Sequence, residues 1–185
     1  MTIECIGDTL KRIPAVLAGY ESPAEECLGE RLRPGMCPRA TFQTQVWVNT
    51  DAGQFRLDIL LTDPAGRRIA IEVDGKNFHD ARLDHWRTIF ILAAKQADVL
   101  YRVAASRLKN DLGDVLADLA FMEPKCFNQQ VLAQWRSVKK SYICSFGPDA
   151  HACNSRIVKL YYDFAKSTGL TDLGAIQREW DARHA

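Results

Sequence analysis

The chain has 185 residues, 24 Lys plus Arg against 23 Asp plus Glu, a formal net charge of +1, and 47% hydrophobic and 9% aromatic residues. That composition excludes a disordered polyelectrolyte, a collagen and a coiled coil, and the length suits one domain that buries a core without disulfides. No apolar run reaches the roughly 18 residues of a membrane span, and the opening Met-Thr-Ile-Glu-Cys-Ile-Gly-Asp carries no basic stretch, so the expectation is a cytoplasmic protein with no membrane partner.

Residues 8–18 have helical spacing. Ser22-Pro23-Ala24-Glu25 then reads as a helix start, with Ser at the N-cap, Pro at the first helical position and Glu three residues after the cap. That helix is expected to end near Arg33-Pro34-Gly35. Residues 42–48, Phe-Gln-Thr-Gln-Val-Trp-Val, have strand composition. Phe55, Leu57, Ile59 and Leu61 alternate with more polar residues, and so do Ile69, Ile71 and Val73. Between them lies Asp63-Pro64-Ala65-Gly66, so the pair is read as a β-hairpin.

The register of that hairpin follows from its turn. Pro64 suits the first central position of a type I turn, and Gly66 suits the left-handed position of a three-residue loop. Asp63 then faces Arg67, and Asp58 falls opposite Glu72 on one face with Asp74 diagonal to it. The alternative register, one residue longer in the loop, puts the two apolar rows on opposite faces. Residues 81–96 place Leu83, Trp86, Phe90 and Ala93 at helical spacing, and Val99–Val103 is a short apolar strand. A strand, a helix and a strand predict a parallel crossover. Ser106 is expected to cap a helix running toward 121, and further helices are expected near 128–140, 154–168 and 171–183.

Opposed carboxylates on neighbouring strands have Cβ atoms about 4.5–5.5 Å apart, repel one another, and give a sheet nothing structural. Something positive must compensate Asp58, Glu72 and Asp74. The choices are a divalent cation or the nearby Arg56, Arg68 and Lys76. Few oxygen ligands suit Mg²⁺ or Mn²⁺. Six cysteines include no C-x-x-C pair. Cys126, Cys144, His151 and Cys153 group loosely without matching a zinc spacing, so reduced thiols, packed or on the surface, are the expectation. Basic stretches over 31–110 and 125–166 alternate with acidic ones. The second contains Lys139 and Lys140, which either hold phosphates or are ordinary surface charges.

Taken in order, Ser22-Pro23-Ala24-Glu25, Gln45, Asp58, Glu72-Val73-Asp74-Gly75 with His79, Asp84-His85-Trp86-Arg87 and Arg102 resemble the PD-(D/E)XK nuclease superfamily. The resemblance is to the branch of very-short-patch-repair-like endonucleases and their uncharacterised relatives. It covers residues 22–103. Leu57 stands where the superfamily has Pro, Asp74 takes the place of its Lys, and Asp80-Ala81-Arg82 lack the Cys and His ligands of that branch's zinc site.

The resemblance implies an α/β fold, a restriction-endonuclease-like mixed sheet flanked by helices. A core over 1–123 would carry a helical C-terminal extension over 124–185. It implies metal-dependent hydrolysis of phosphodiester bonds, in DNA before RNA. Asp58, Glu72 and Asp74 would hold Mg²⁺ or Mn²⁺. His79 would take a proton or contact the phosphate, Lys76 would steady developing negative charge, and Glu25 would reach the metal through water. Gln45 and Arg87 would contact nucleic acid, and outside the span of the resemblance Lys139 and Lys140 of the second basic stretch are the further candidates for that contact. Several of these have structural readings too: Glu25 as half of a capping box, Asp84 and Arg87 as a helix ion pair, Arg102 as partner to an acid beside the sheet. The rival functions are an RNA-cleaving toxin or defence nuclease, and a nuclease-like binding module without turnover.

Overall fold

A computed structural model describes residues 19–75, 81–136 and 157–160. The expected helices over 8–18 and 171–183 lie wholly outside them.

Helix α1, Pro23–Leu32, starts as its sequence dictates. Ser22 is the N-cap, its hydroxyl accepts the Glu25 N–H at 3.2 Å, and Pro23 opens the first turn. The Glu25 carboxylate turns back and accepts the N–H of Glu21 at 3.0 Å, one residue ahead of the cap. A 3-10 turn, Arg33–Gly35, ends the helix at Pro34.

Strands β1 (Thr41–Thr50), β2 (Gly53–Thr62) and β3 (Arg68–Asp74) form an antiparallel meander. Helix α2 (Ala81–Ala93) leads to β4 (Val99–Ala104), which pairs parallel with β3, from Ile69 beside Val99 to Asp74 beside Ala104. Helix α3 (Ala105–Met122) and the short α4 (Gln129–Arg136) follow. A last strand, β5 (Ile157–Leu160), runs antiparallel on the far side of β4 and completes a five-stranded mixed sheet in the order β1-β2-β3-β4-β5. The fold is therefore α/β, a mixed sheet with helices on both faces.

Two expectations change here. Residues 157–160 are a strand and not part of a helix over 154–168, because the outer edge of β4 offers backbone partners from Leu100 to Val103. Ser106 is not a cap: α3 begins at Ala105, and Ala104 supplies no capping side chain.

The 63–66 turn matches its chemistry. Gly66 takes φ +86°, its N–H reaches the Asp63 carbonyl at 2.9 Å, and the Asp63 side chain accepts the N–H groups of Ala65 and Arg67 at 2.7 and 3.0 Å. The register is the expected one, with Ile59 facing Ile71 and Thr62 facing Arg68.

Each face of the sheet buries its own core. Leu28 and Leu32 of α1, the apolar side of α3, and Leu132 and Trp135 of α4 cover Ile59, Leu61, Ile69, Ile71 and Tyr101. Ile91 and Leu92 of α2 cover Val48, Leu57, Leu60, Ala70 and Leu100. Trp86 and Phe90 are buried, as expected, and Trp135 packs edge-on against Phe127 with ring centroids 5.4 Å apart.

These assignments contain a reversal. Strict alternation along β2 would keep Phe55, Leu57, Ile59 and Leu61 on one face. Instead Phe55 and Leu57 pack on the α2 side, and Ile59 and Leu61 on the α1 side. Strand β1 reverses in step, with Phe42 on the α1 side and Val46 and Val48 on the α2 side. The pivot is Gln45 beside Asp58. It is the only step between Thr41 and Thr50 at which the two strands form no pair, and Gln45 takes φ +53°.

Candidate active site at the fork between two strands

The β2–β3 ladder stops at Ile59 and Ile71, after which β2 continues against β1 and β3 against β4. The two strands fork, and the next ladder bond is made by a side chain. Asp58 turns its carboxylate across the fork, and its Oδ2 accepts the N–H of Val73 at 2.8 Å. This differs from the simple opposition of Asp58 and Glu72 that the hairpin predicts. The face reversal at Asp58 is the reason, since it points the carboxylate along the sheet.

Glu72 lies beside the same opening and is only 4% exposed. Arg87 of α2 bonds its Oε2 at 2.9 Å and also donates to the Arg56 carbonyl. The other oxygen, Oε1, is buried and has no hydrogen-bond partner. Asp74, two residues on, is gripped by Arg102 through two bonds, Nε to Oδ2 at 2.8 Å and Nη2 to Oδ1 at 2.6 Å. The parallel register sets Arg102 directly beside Glu72. On the α1 side, Glu25 accepts the amide of Gln45 at 2.7 Å. The Gln45 amide oxygen is buried and unpartnered as well.

Burial raises the pKa of the Asp58 carboxyl, the Val73 N–H pulls it partly back, and the negative charge of Glu25 raises it further. Burial also raises Glu72, opposed by Arg87 and reinforced by Asp58. Glu25, Asp58, Glu72 and Asp74 bring four carboxylates together, and Arg87 and Arg102 bring two guanidiniums.

The fit to a metal rests on chemistry and not on ligand number. Among the described residues no three His, Cys, Asp or Glu side chains form a group able to hold a metal by themselves. Mg²⁺ asks for less, because it keeps several waters and is commonly held by one or two carboxylates. Asp58 and the unpartnered Glu72 oxygen supply that pair. Asp74 has both oxygens committed to Arg102, so its place here is to fix that guanidinium against the acids.

Of the residues expected at the site, Glu25, Gln45, Asp58, Glu72, Asp74 and Arg87 converge on the fork. Lys76, His79, Lys139 and Lys140 lie outside the described residues, as do Cys144, His151 and Cys153. Arg87 points inward to Glu72 and the β2 backbone, and Arg102 joins the site through Asp74; the side chain of Asp84, the expected ion-pair partner of Arg87, lies outside what the structure describes. Cys126 is buried among apolar groups and its thiol is pushed up to about 12, the behaviour of a packed cysteine. Among the described residues no helix is long and apolar enough to cross a membrane. No family model, curated protein or solved structure matches the chain.

The left-handed backbone at Gln45 is a strain that a side chain other than glycine's normally avoids, at about 1–2 kcal/mol. We expect Gln45→Gly to be more stable than Gln45→Ala by about 1–2 kcal/mol in urea unfolding, since both lose the amide and differ only in backbone freedom. At an ordinary strand position the order is opposite, with glycine worse by roughly 0.5–1 kcal/mol. Equal midpoints for the two variants would remove strain from the account of this site.

Proposed function

We propose that the chain is a metal-dependent endonuclease that hydrolyses phosphodiester bonds, with DNA as its first substrate. The observation that carries this reading is the Glu72 oxygen, buried and unpartnered beside Asp58 at the strand fork. A buried carboxylate oxygen left without a donor costs about 1–3 kcal/mol or more, so its retention argues for a cationic ligand.

In this reading Asp58 and Glu72 hold Mg²⁺ or Mn²⁺. A divalent cation there supplies Lewis acidity at the phosphate and makes a water acidic enough to serve as nucleophile. Arg87 fixes one Glu72 oxygen and leaves the other to the cation. The Val73 N–H does the same for Asp58. Arg102 neutralises Asp74 and holds positive charge beside Glu72, near where the superfamily has its lysine. Glu25, held by Gln45, orients water on the α1 side. His79 and Lys76 keep the roles the resemblance implies, proton acceptor and stabiliser of developing negative charge.

The test is incubation of supercoiled plasmid, linear duplex, single-stranded DNA and RNA with the protein in Mg²⁺, Mn²⁺ or EDTA. Metal-dependent nicking that EDTA stops is the expected result. A pattern confined to RNA would move the substrate to the ribonuclease class. A second reading, a nuclease-like module without turnover, is favoured by Asp74 in the lysine position with both oxygens bonded to Arg102. No cleavage of any substrate by folded protein would select it.

A further inference from the structure

Trp47 is 62% exposed, and with Phe121 it is one of only two large hydrophobic side chains exposed among the described residues. It is not at a loop tip but within β1, opposite Arg56 of β2. The Arg56 guanidinium lies over the indole, 5.2 Å from the ring centroid. Arg56 is itself held from two sides. Its guanidinium pairs with Glu21, just ahead of α1, and its carbonyl accepts from Arg87, the residue that also grips Glu72. A flat aromatic surface is thus braced on one side and open over most of the rest.

Its position relative to the fork is fixed by the strands. Trp47 is two residues from Gln45, and Arg56 is two residues from Asp58. Two strand residues span about 6.7 Å. Trp47 therefore lies within reach of the nucleotide next to a phosphate held at Asp58 and Glu72. Glu21 largely cancels the charge of Arg56, which leaves a neutral stacking surface and not a phosphate site. Every nucleobase offers a π-face to such a surface, but a base inside a duplex has both faces covered by its neighbours.

We propose that Trp47, braced by Arg56, stacks an unpaired base next to the scissile bond, so that the substrate is single-stranded or locally opened nucleic acid. This inference rests on the nuclease reading for its placement at the scissile bond, and on the Trp47–Arg56 geometry for the stacking itself.

The test separates the two. Binding of fluorescein-labelled oligodeoxyuridylate, oligouridylate and a blunt hairpin duplex is measured by anisotropy in EDTA, with no cleavage in play. Wild type, Trp47→Ala and Trp47→Phe are compared, with the fold of each verified by its Tm. Trp47→Ala should weaken single-strand binding by about 5- to 150-fold, the range for one aromatic stack. Trp47→Phe should keep most of the affinity, and duplex binding should change less than about twofold. The larger loss between the two oligomers assigns the sugar. Single-strand affinity unchanged in Trp47→Ala overturns the stacking role. So does an equal loss on the duplex, or dissociation of a dimer seen on sedimenting Trp47→Ala, which would make the face a contact between copies. Absence of cleavage by wild type, with the stacking effect intact, would overturn the nuclease reading and leave Trp47 as a base-binding residue.

Discussion

Asp58→Asn is expected to abolish cleavage and to make the protein more stable at neutral pH. Loss of activity should reach at least about 10²–10³-fold, the scale on which one group that stabilises transition-state charge matters. The gain in stability follows from burial. Asp58 is pushed up to about 6, mainly by loss of water around its carboxylate. A carboxyl with a raised folded pKa contributes stability that is full below the ordinary carboxylate range and is lost as pH rises to about 6. Asparagine carries no such dependence and can still accept the Val73 N–H through its amide oxygen. The difference in unfolding free energy between variant and wild type should therefore be small near pH 4 and grow through about pH 6, reaching on the order of 3 kcal/mol. Added Mg²⁺ should raise the Tm of wild type and leave that of Asp58→Asn unmoved, because a ligand stabilises only the state that binds it. A cation-induced shift of equal size in both proteins would take Asp58 out of the metal site, whatever its effect on cleavage.

Arg102→Met should produce the largest loss of stability of any single change at the site. Arg102 is 5% exposed and makes two short bonds to Asp74 while lying beside Glu72. Breaking one side of a buried ion pair typically costs about 3–5 kcal/mol, because the partner charge stays buried without compensation. Asp74 retains some solvent contact, which places the expectation near about 3 kcal/mol in urea unfolding. Adding Asp74→Asn to Arg102→Met should restore a good part of that loss. A double-mutant cycle isolates the coupling, and a coupling below about 0.5 kcal/mol would show that the pair adds nothing to the fold.

Much of this fold is legible in the residues themselves. Ser22-Pro23-Ala24-Glu25 specifies a helix start through local hydrogen bonds alone. Pro64 and Gly66 set a turn, and the turn sets which residues of β2 and β3 face one another. Val99–Val103 is short, apolar and β-branched enough to be a strand wherever it lies. Asp58, Glu72 and Asp74 were legible as a group from the hairpin, but their placement was not: the ladder ends at Ile59 and Ile71, and Asp58 bonds the Val73 N–H instead of facing Glu72.

What stayed hidden depends on contacts made across the chain. Ile157-Val158-Lys159-Leu160 is an apolar stretch too short for its period to decide between helix and strand. The open edge of β4 decides it. The face reversal at Gln45 and Asp58 is invisible because both faces of the sheet are buried, so Phe55, Leu57, Ile59 and Leu61 find apolar surroundings whichever way they point. The exposed Trp47 reads in sequence as one more strand aromatic.

The strand order also implies an order of events in time. β1, β2 and β3 are joined by short turns, and their pairing closes small loops. β4 must wait for α2, and β5 pairs with residues more than fifty positions earlier in the chain. Loop closure grows costlier with separation, and distant pairings slow folding. The meander, and with it the Asp58 side of the fork, is therefore the part that can form early. Glu72 acquires its burial only when α2 and β4 arrive. Water screens the two carboxylates from each other until the structure that compensates their charge, Arg87 from one side and Arg102 from the other, has docked.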